Sequence, residues 1–183
     1  SDLDLLLINP NCRKNTYQNL SDTLTAVEPP LWCRLIAGYV RDREFSVKIL
    51  DAEAVEMNPV EVANFITEAK PRLVAMVVFG HQPSSSTQQM VGVRECCSEL
   101  KSRAAYIPII IVGGHAAALP EQTLHEEEVD FVCNSEGPIT ICQILDKTLN
   151  DNLNLREVEG LVWYSGSEII SNPAPPLIKN LDN

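Results

Sequence analysis

Four hydroxyl residues in succession, Ser84-Ser85-Ser86-Thr87, and a double glycine, Gly113-Gly114, 27 positions beyond Ser86, have the types and spacing best suited to holding a ligand. Hydroxyls at a helix start cap free N–H groups, or equally hydrogen-bond a ligand lying beside a strand. A helix N-terminus there also favours a phosphate. Two glycines after an apolar run let the backbone approach a ligand or take positive φ, and serve as well in a plain tight turn. They lack the GxGxxG spacing of a dinucleotide site and no Walker lysine accompanies them, which disfavours dinucleotides. Around these groups stand Asn9-Pro10-Asn11, Gly80-His81, His115 and Ser135-Glu136-Gly137. Neutral imidazole at His81 or His115 can accept hydrogen bonds or ligate a transition metal. The Glu136 carboxylate can meet ligand amides or simply favour a helix N-terminus.

The elements that position these residues alternate five times. Apolar runs at Leu3 to Asn9, Val47 to Leu50, Leu73 to Phe79, Ile107 to Val112 and Asp130 to Cys133 read as strands buried on both faces. Helices are predicted from Pro30 to about Arg43, from Asn58-Pro59 to Pro71, from about Ser85 to Arg103, from Pro120 to about Glu128, and after Gly137-Pro138 to about Leu149. This alternation predicts an α/β fold: a doubly wound parallel five-stranded sheet of flavodoxin/Rossmann-like type, with strand order 2-1-3-4-5. Ligands in such sheets bind outside the carboxyl ends of the strands where the order reverses, here between the first and third, and every residue named above falls in a loop on that edge. Beyond Asn150, two short runs flanking Ser165-Gly166-Ser167 predict a β-hairpin, and Asn172-Pro173-Ala174-Pro175-Pro176 an extended linker. The expected division is 1–150 for the α/β domain and 151–183 for the hairpin and linker.

A chain of 183 residues, 45% apolar and 21% charged, suits one domain with a hydrophobic core. The net charge of −11 repels phosphate backbones and anionic lipid, so nucleic acid and membrane are poor partners. No run approaches the roughly 20 apolar residues of a membrane span. Ser1-Asp2-Leu3-Asp4 does not read as a secretory signal, and a cytoplasmic setting is expected. The six cysteines show neither CxxC pairs nor a CxxxCxxC cluster and read mostly as buried thiols. Trp32 and Trp163 read as packing residues, although Trp32 lies close enough to the polar stretch 11–28 to cover a planar ligand.

Ser84-x-Ser86 followed by Gly113-Gly114 is similar to the SxL…GG part of the cobalamin-binding domain family, with Ser86 where that family usually has leucine. In that family the two loops flank the dimethylbenzimidazole tail. Pro29-Pro30-Leu31, Ile49-Leu50-Asp51-Ala52-Glu53, Gly113-Gly114-His115-Ala116, Val129 to Val132, Ser135-Glu136-Gly137, Glu159 to Val162 and Leu177 to Asp182 resemble successive landmarks of a narrower family. This is the N-terminal cobalamin-binding domain of cobalamin-dependent radical S-adenosylmethionine enzymes.

The resemblance implies cobalamin as cofactor and partner, held by Asn9, Pro10, Asn11, Gly80, His81, Ser84, Ser85, Ser86, Thr87, Gly113, Gly114, His115, Ser135, Glu136 and Gly137. It implies no catalytic residue in this chain. Asn9-Pro10-Asn11 stands where other cobalamin domains carry DxHxxG, so the usual histidine below cobalt is missing, and His81 and His115 are weak candidates for that role. It further implies a C-terminal domain in the same polypeptide holding S-adenosylmethionine and a [4Fe-4S] cluster. The parent activity would be methyl transfer to an unactivated carbon or to phosphorus, or in some members ring rearrangement or cyclisation. The rival reading is a free-standing flavodoxin-like sensing or FMN-binding module. Asn9, Gly80 and Asn134 replace the acidic cluster and lysine of a phosphoacceptor site, and Asn11 to Thr16 only partly matches an FMN phosphate loop.

Overall fold

The computed structural model describes residues 3–12, 30–80, 83–149 and 154–178, without side chains for 83–88 and 148–149. Strands β1 (Leu5–Asn9), β2 (Val47–Asp51), β3 (Leu73–Val78), β4 (Ile109–Gly113) and β5 (Phe131–Cys133) are parallel neighbours in the order β2-β1-β3-β4-β5. All residues of β3 and β4 are buried, as strands covered on both faces require.

Helices α1 (Leu31–Arg41), α2 (Pro59–Ala69), α3 (Pro83–Ala104), α4 (Gly114–Ala118), α5 (Pro120–Glu126) and α6 (Pro138–Leu149) fill the crossovers. The start of α2 shows why local sequence suffices for a boundary. Asn58 Oδ1 accepts from the Glu61 amide at 3.0 Å, Glu61 Oε2 accepts from the Asn58 amide at 2.8 Å, and Pro59 occupies the first turn. Lys70 then closes the helix in the left-handed region at φ 48°.

The alternation of side chains along the strands divides the core in two. Leu6, Ile8, Val74, Met76, Ile109 and Ile111 face α2 and α3 through Val62, Ile66, Val93, Cys97 and Leu100. On the other face Leu5, Leu7, Ala75, Val77, Ile110 and Val112 meet α1 and α6 through Cys33, Ile36, Val40, Ile141 and Leu145. Among the described residues no helix is long and apolar enough to cross a membrane.

Three expectations are corrected. The hairpin forms, but the sheet has seven strands where five were expected: β6 (Leu161–Ser165) pairs antiparallel with β5, and β7 (Glu168–Ser171) with β6. An uncovered β5 would leave a row of unpaired N–H and C=O groups, and β6 satisfies them. The chain does not depart at Asn172. Its amide donates to Leu161 O at 2.9 Å, its Nδ2 to Leu155 O at 2.7 Å and Val158 O at 2.8 Å, and Pro173 O accepts from the Gly160 amide at 2.7 Å. The helix expected from Pro120 to Glu128 ends at Glu126, and the short α4 precedes it.

Candidate functional site: the carboxyl edge of the sheet

Parallel pairing alone brings the candidate loops to one edge. The register Ile8↔Leu50, Asn9↔Asp51 and Val78↔Gly113 sets the ends of β1, β2, β3 and β4 at one level. At the β1 end, Asn9 Nδ2 donates to Asp51 Oδ1 at 2.8 Å, and the same oxygen accepts from the Ala54 amide at 3.1 Å. Asn11 Nδ2 donates to Met57 O at 3.3 Å. Pro10 and Cys12 are buried, and the Cys12 thiol donates to Gln89 O at 3.3 Å. This loop packs directly on α3 because position 92 is glycine: a Cβ there would lie 2.9 Å from Cys12 Sγ and 3.2 Å from Asn11 O. Burial, then the nearby Glu53, push the Cys12 thiol up to about 12, so it stays protonated at neutral pH and is a poor metal ligand. Among the described residues no cluster of His, Cys, Asp and Glu is arranged to hold a metal ion.

Gly113 is extended, with φ 166° and ψ 174°, so its backbone conformation does not demand glycine. The demand comes from β3: a Cβ at 113 would lie 2.0 Å from Val78 O and 2.7 Å from Val78 C. The space freed by Gly113 is therefore taken by the neighbouring strand. Gly114 opens α4, and His115, half-buried, follows it with its carbonyl accepting from the Leu119 amide at 2.9 Å. Half-buried Gly80 follows Phe79 at the end of β3. Ser84, Ser85, Ser86 and Thr87 lie in the first turns of α3, a start two residues earlier than the sequence suggests. Their side chains, and His81, lie outside the described residues.

At the β5 end, Ser135 Oγ lies 3.3 Å from Cys133 Sγ, Glu136 is half-buried, and Gly137 takes φ +106°. A Cβ at Gly137 would also lie 2.6 Å from Val112 Cγ1. Ser135, Glu136, Gly137 and Pro138 form one wall of a small cleft, open to solvent, whose other wall is the returning segment Pro175 to Ile178. Gly160 makes this return possible: at φ +75°, a side chain there would meet Thr140 Oγ1 at 2.7 Å, Ser135 Oγ at 2.9 Å and Pro175 Cδ at 3.0 Å.

Two features of this edge involve Asn134 and Trp32, residues weighed in the sequence but not placed among the site residues. Asn134 Nδ2 donates to Asn172 O at 2.9 Å, while its Oδ1 is buried without a hydrogen-bond partner, an uncommon condition that a ligand N–H would relieve. Its position directly after a strand was the available signal. The second is a stack of Trp32 on Phe79, with ring centroids 4.1 Å apart and planes at 16°. Those residues are 47 apart in the chain, and nothing local joins them.

Residues 19–145 match the B12 binding domain family, and the chain belongs to that family. It is a cobalamin-binding domain resembling those of cobalamin-dependent radical S-adenosylmethionine enzymes. The radical S-adenosylmethionine methyltransferase TsrM from Kitasatospora setae, solved with cobalamin and a [4Fe-4S] cluster bound, superposes with a TM-score of 0.69 at 16% identity, over 96% of this chain and 30% of its own. OxsB, a cobalamin-dependent S-adenosylmethionine radical enzyme solved with aqua-cobalamin and S-adenosylmethionine bound, gives 0.64 at 18% identity, over 96% of this chain and 23% of its own. An anaerobic magnesium-protoporphyrin IX monomethyl ester cyclase of Cereibacter sphaeroides is 23% identical over 98% of this chain and 28% of its own length. The chain thus spans less than a third of each of these relatives.

The donor set suits a corrinoid, whose rim is lined with amides. Amide and hydroxyl groups of Asn9, Asn11, Asn134 and Ser135 line the edge, and Asn134 Oδ1 is an acceptor awaiting an N–H.

Proposed function

We propose that the carboxyl edge of this domain holds cobalamin and presents it to a radical S-adenosylmethionine domain elsewhere in the same polypeptide. Asn9, Pro10, Asn11, Gly80, His81, Ser84 to Thr87, Gly113 to His115 and Ser135 to Gly137 surround it, with the nucleotide tail between the start of α3 and Gly113-Gly114. The observation that carries this reading is the buried, unpartnered Asn134 Oδ1 on an edge lined with amides and hydroxyls in a B12 binding domain. The Asn9 Nδ2–Asp51 Oδ1 hydrogen bond fixes the Asn9 side chain, which leaves its amide oxygen as the group that would face the ligand. Bound there, cobalamin would supply methyl-transfer chemistry, and the reaction inferred for the whole enzyme is methyl transfer to an unactivated carbon or phosphorus centre. The cyclase among the relatives favours ring formation as a second reading.

The chain's own residues bind, orient and shield, and turn nothing over. Hydroxocobalamin mixed with the purified chain is expected to stay with it through desalting, with a corrin spectrum. Complete passage of the corrin into the salt fraction would overturn the proposal.

A further inference from the structure

Resting on that reading, we infer that Trp32 and Phe79 form the wall against which the flat aromatic base of the cobalamin nucleotide tail packs. The loops at this edge offer hydrogen bonds, which suit amides, ribose and phosphate. A dimethylbenzimidazole ring needs apolar, preferably aromatic, surface instead. The Trp32–Phe79 pair is the stacked aromatic pair among the described residues, and it stands at this edge.

Its position follows from the register. Val78 pairs with Gly113, so Phe79 begins immediately beyond the level of the double glycine, on the strand that leads into α3. Like Ala75 and Val77 before it, Phe79 packs on the core shared with α1 and α6, and Trp32 in the first turn of α1 joins it there. The pair therefore stands where β1 and β3 adjoin, the point at which strand order reverses and α/β sheets bind ligands. Both rings are only partly buried, so each retains apolar surface that a stacked base would remove from water.

The experiment compares cobalamin with cobinamide, which has the same corrin and amides but no nucleotide tail. The ratio of their Kd values, read by optical titration, measures what the tail contributes. In Trp32→Ala and in Phe79→Leu that ratio is expected to fall at least about tenfold, with cobinamide affinity unchanged, while Trp32→Phe keeps it within about threefold. Retained cobinamide binding also shows that the variants fold. An unchanged ratio, or an equal loss for both corrinoids, overturns the inference while the wild-type protein still binds cobalamin. Failure of the wild-type protein to bind either corrinoid overturns the functional reading and this inference together.

Discussion

The two edges of the sheet are built from different chemistry. At the amino edge, charges stitch one element to another. Asp4 Oδ1 accepts from Arg72 at 2.7 Å, Asp4 Oδ2 accepts from the Ser46 amide at 2.8 Å and hydroxyl at 2.9 Å, and Arg72 reaches on to Leu145 O at 3.1 Å. Lys101 pairs with Asp130 at 2.7 Å, and the same carboxylate oxygen accepts from the Ile109 amide at 2.8 Å. Glu127, whose side chain is only 2% exposed, receives Arg94 through two hydrogen bonds of 2.8 and 3.2 Å. At the carboxyl edge the contacts run mainly between amides, hydroxyls, a thiol and backbone, and glycines set the closest approaches. The fold is held by directed charge at one pole, while the other is left to bind an uncharged rim of amides.

The largest test of this contrast lies on the ligand edge itself. Gly113→Val is expected to cost more than about 3 kcal/mol of stability in urea unfolding, because the Val78 backbone has nowhere to go, and corrin binding falls with the fold. A stable, binding-deficient Gly113→Val protein would show that the glycine serves the ligand instead. Arg94→Ala comes next, at about 2 kcal/mol, because it leaves the buried Glu127 carboxylate without its cation. Cobalamin affinity should stay within about twofold, and a large loss of affinity would mean that the poles are coupled.

Asp4→Asn is expected to cost about 1 kcal/mol at neutral pH. Burial pushes the Asp4 carboxyl up, but the hydrogen bonds from Arg72 and Ser46 outweigh it and hold the group below its ordinary 3.8. A carboxyl lowered on folding stabilises the native state above the unfolded value and loses that contribution as pH falls through the folded one. The gap between wild type and Asp4→Asn in urea midpoint should therefore be full at pH 6 and close progressively below pH 3.8; a gap that widens on acidification would reverse this account. The smallest effect is on salt: cobalamin Kd should change less than about twofold between low and high ionic strength, since the contacts that hold it are largely uncharged.

What could be read in the sequence divides along local and non-local lines. The five parallel strands were legible because each is a short apolar run, and α2 because Asn58, Pro59 and Glu61 define its start within four residues. The turn at Ser165 to Ser167 announced a hairpin, but not that β6 pairs with β5, some 30 residues earlier. Nothing local in Glu126-Glu127-Glu128 marks its middle residue for burial, yet Glu127 is buried by an arginine on α3, 33 positions back. At the candidate site, the loops were legible from their place after strands. That Gly113 makes room for Val78, or that Trp32 lies on Phe79, depends on which elements become neighbours.

The segment from Asn172 to Ile178, pinned at Gly160, Asn134 and the α6 start, also fixes an exit point. Ile178 is thereby held beside Ser135 to Pro138 with almost no slack behind it. Any group joined to the chain near that point would meet the carboxyl edge as a tethered neighbour at an effective concentration on the order of millimolar, so that a contact too weak to form between separate molecules would suffice within one.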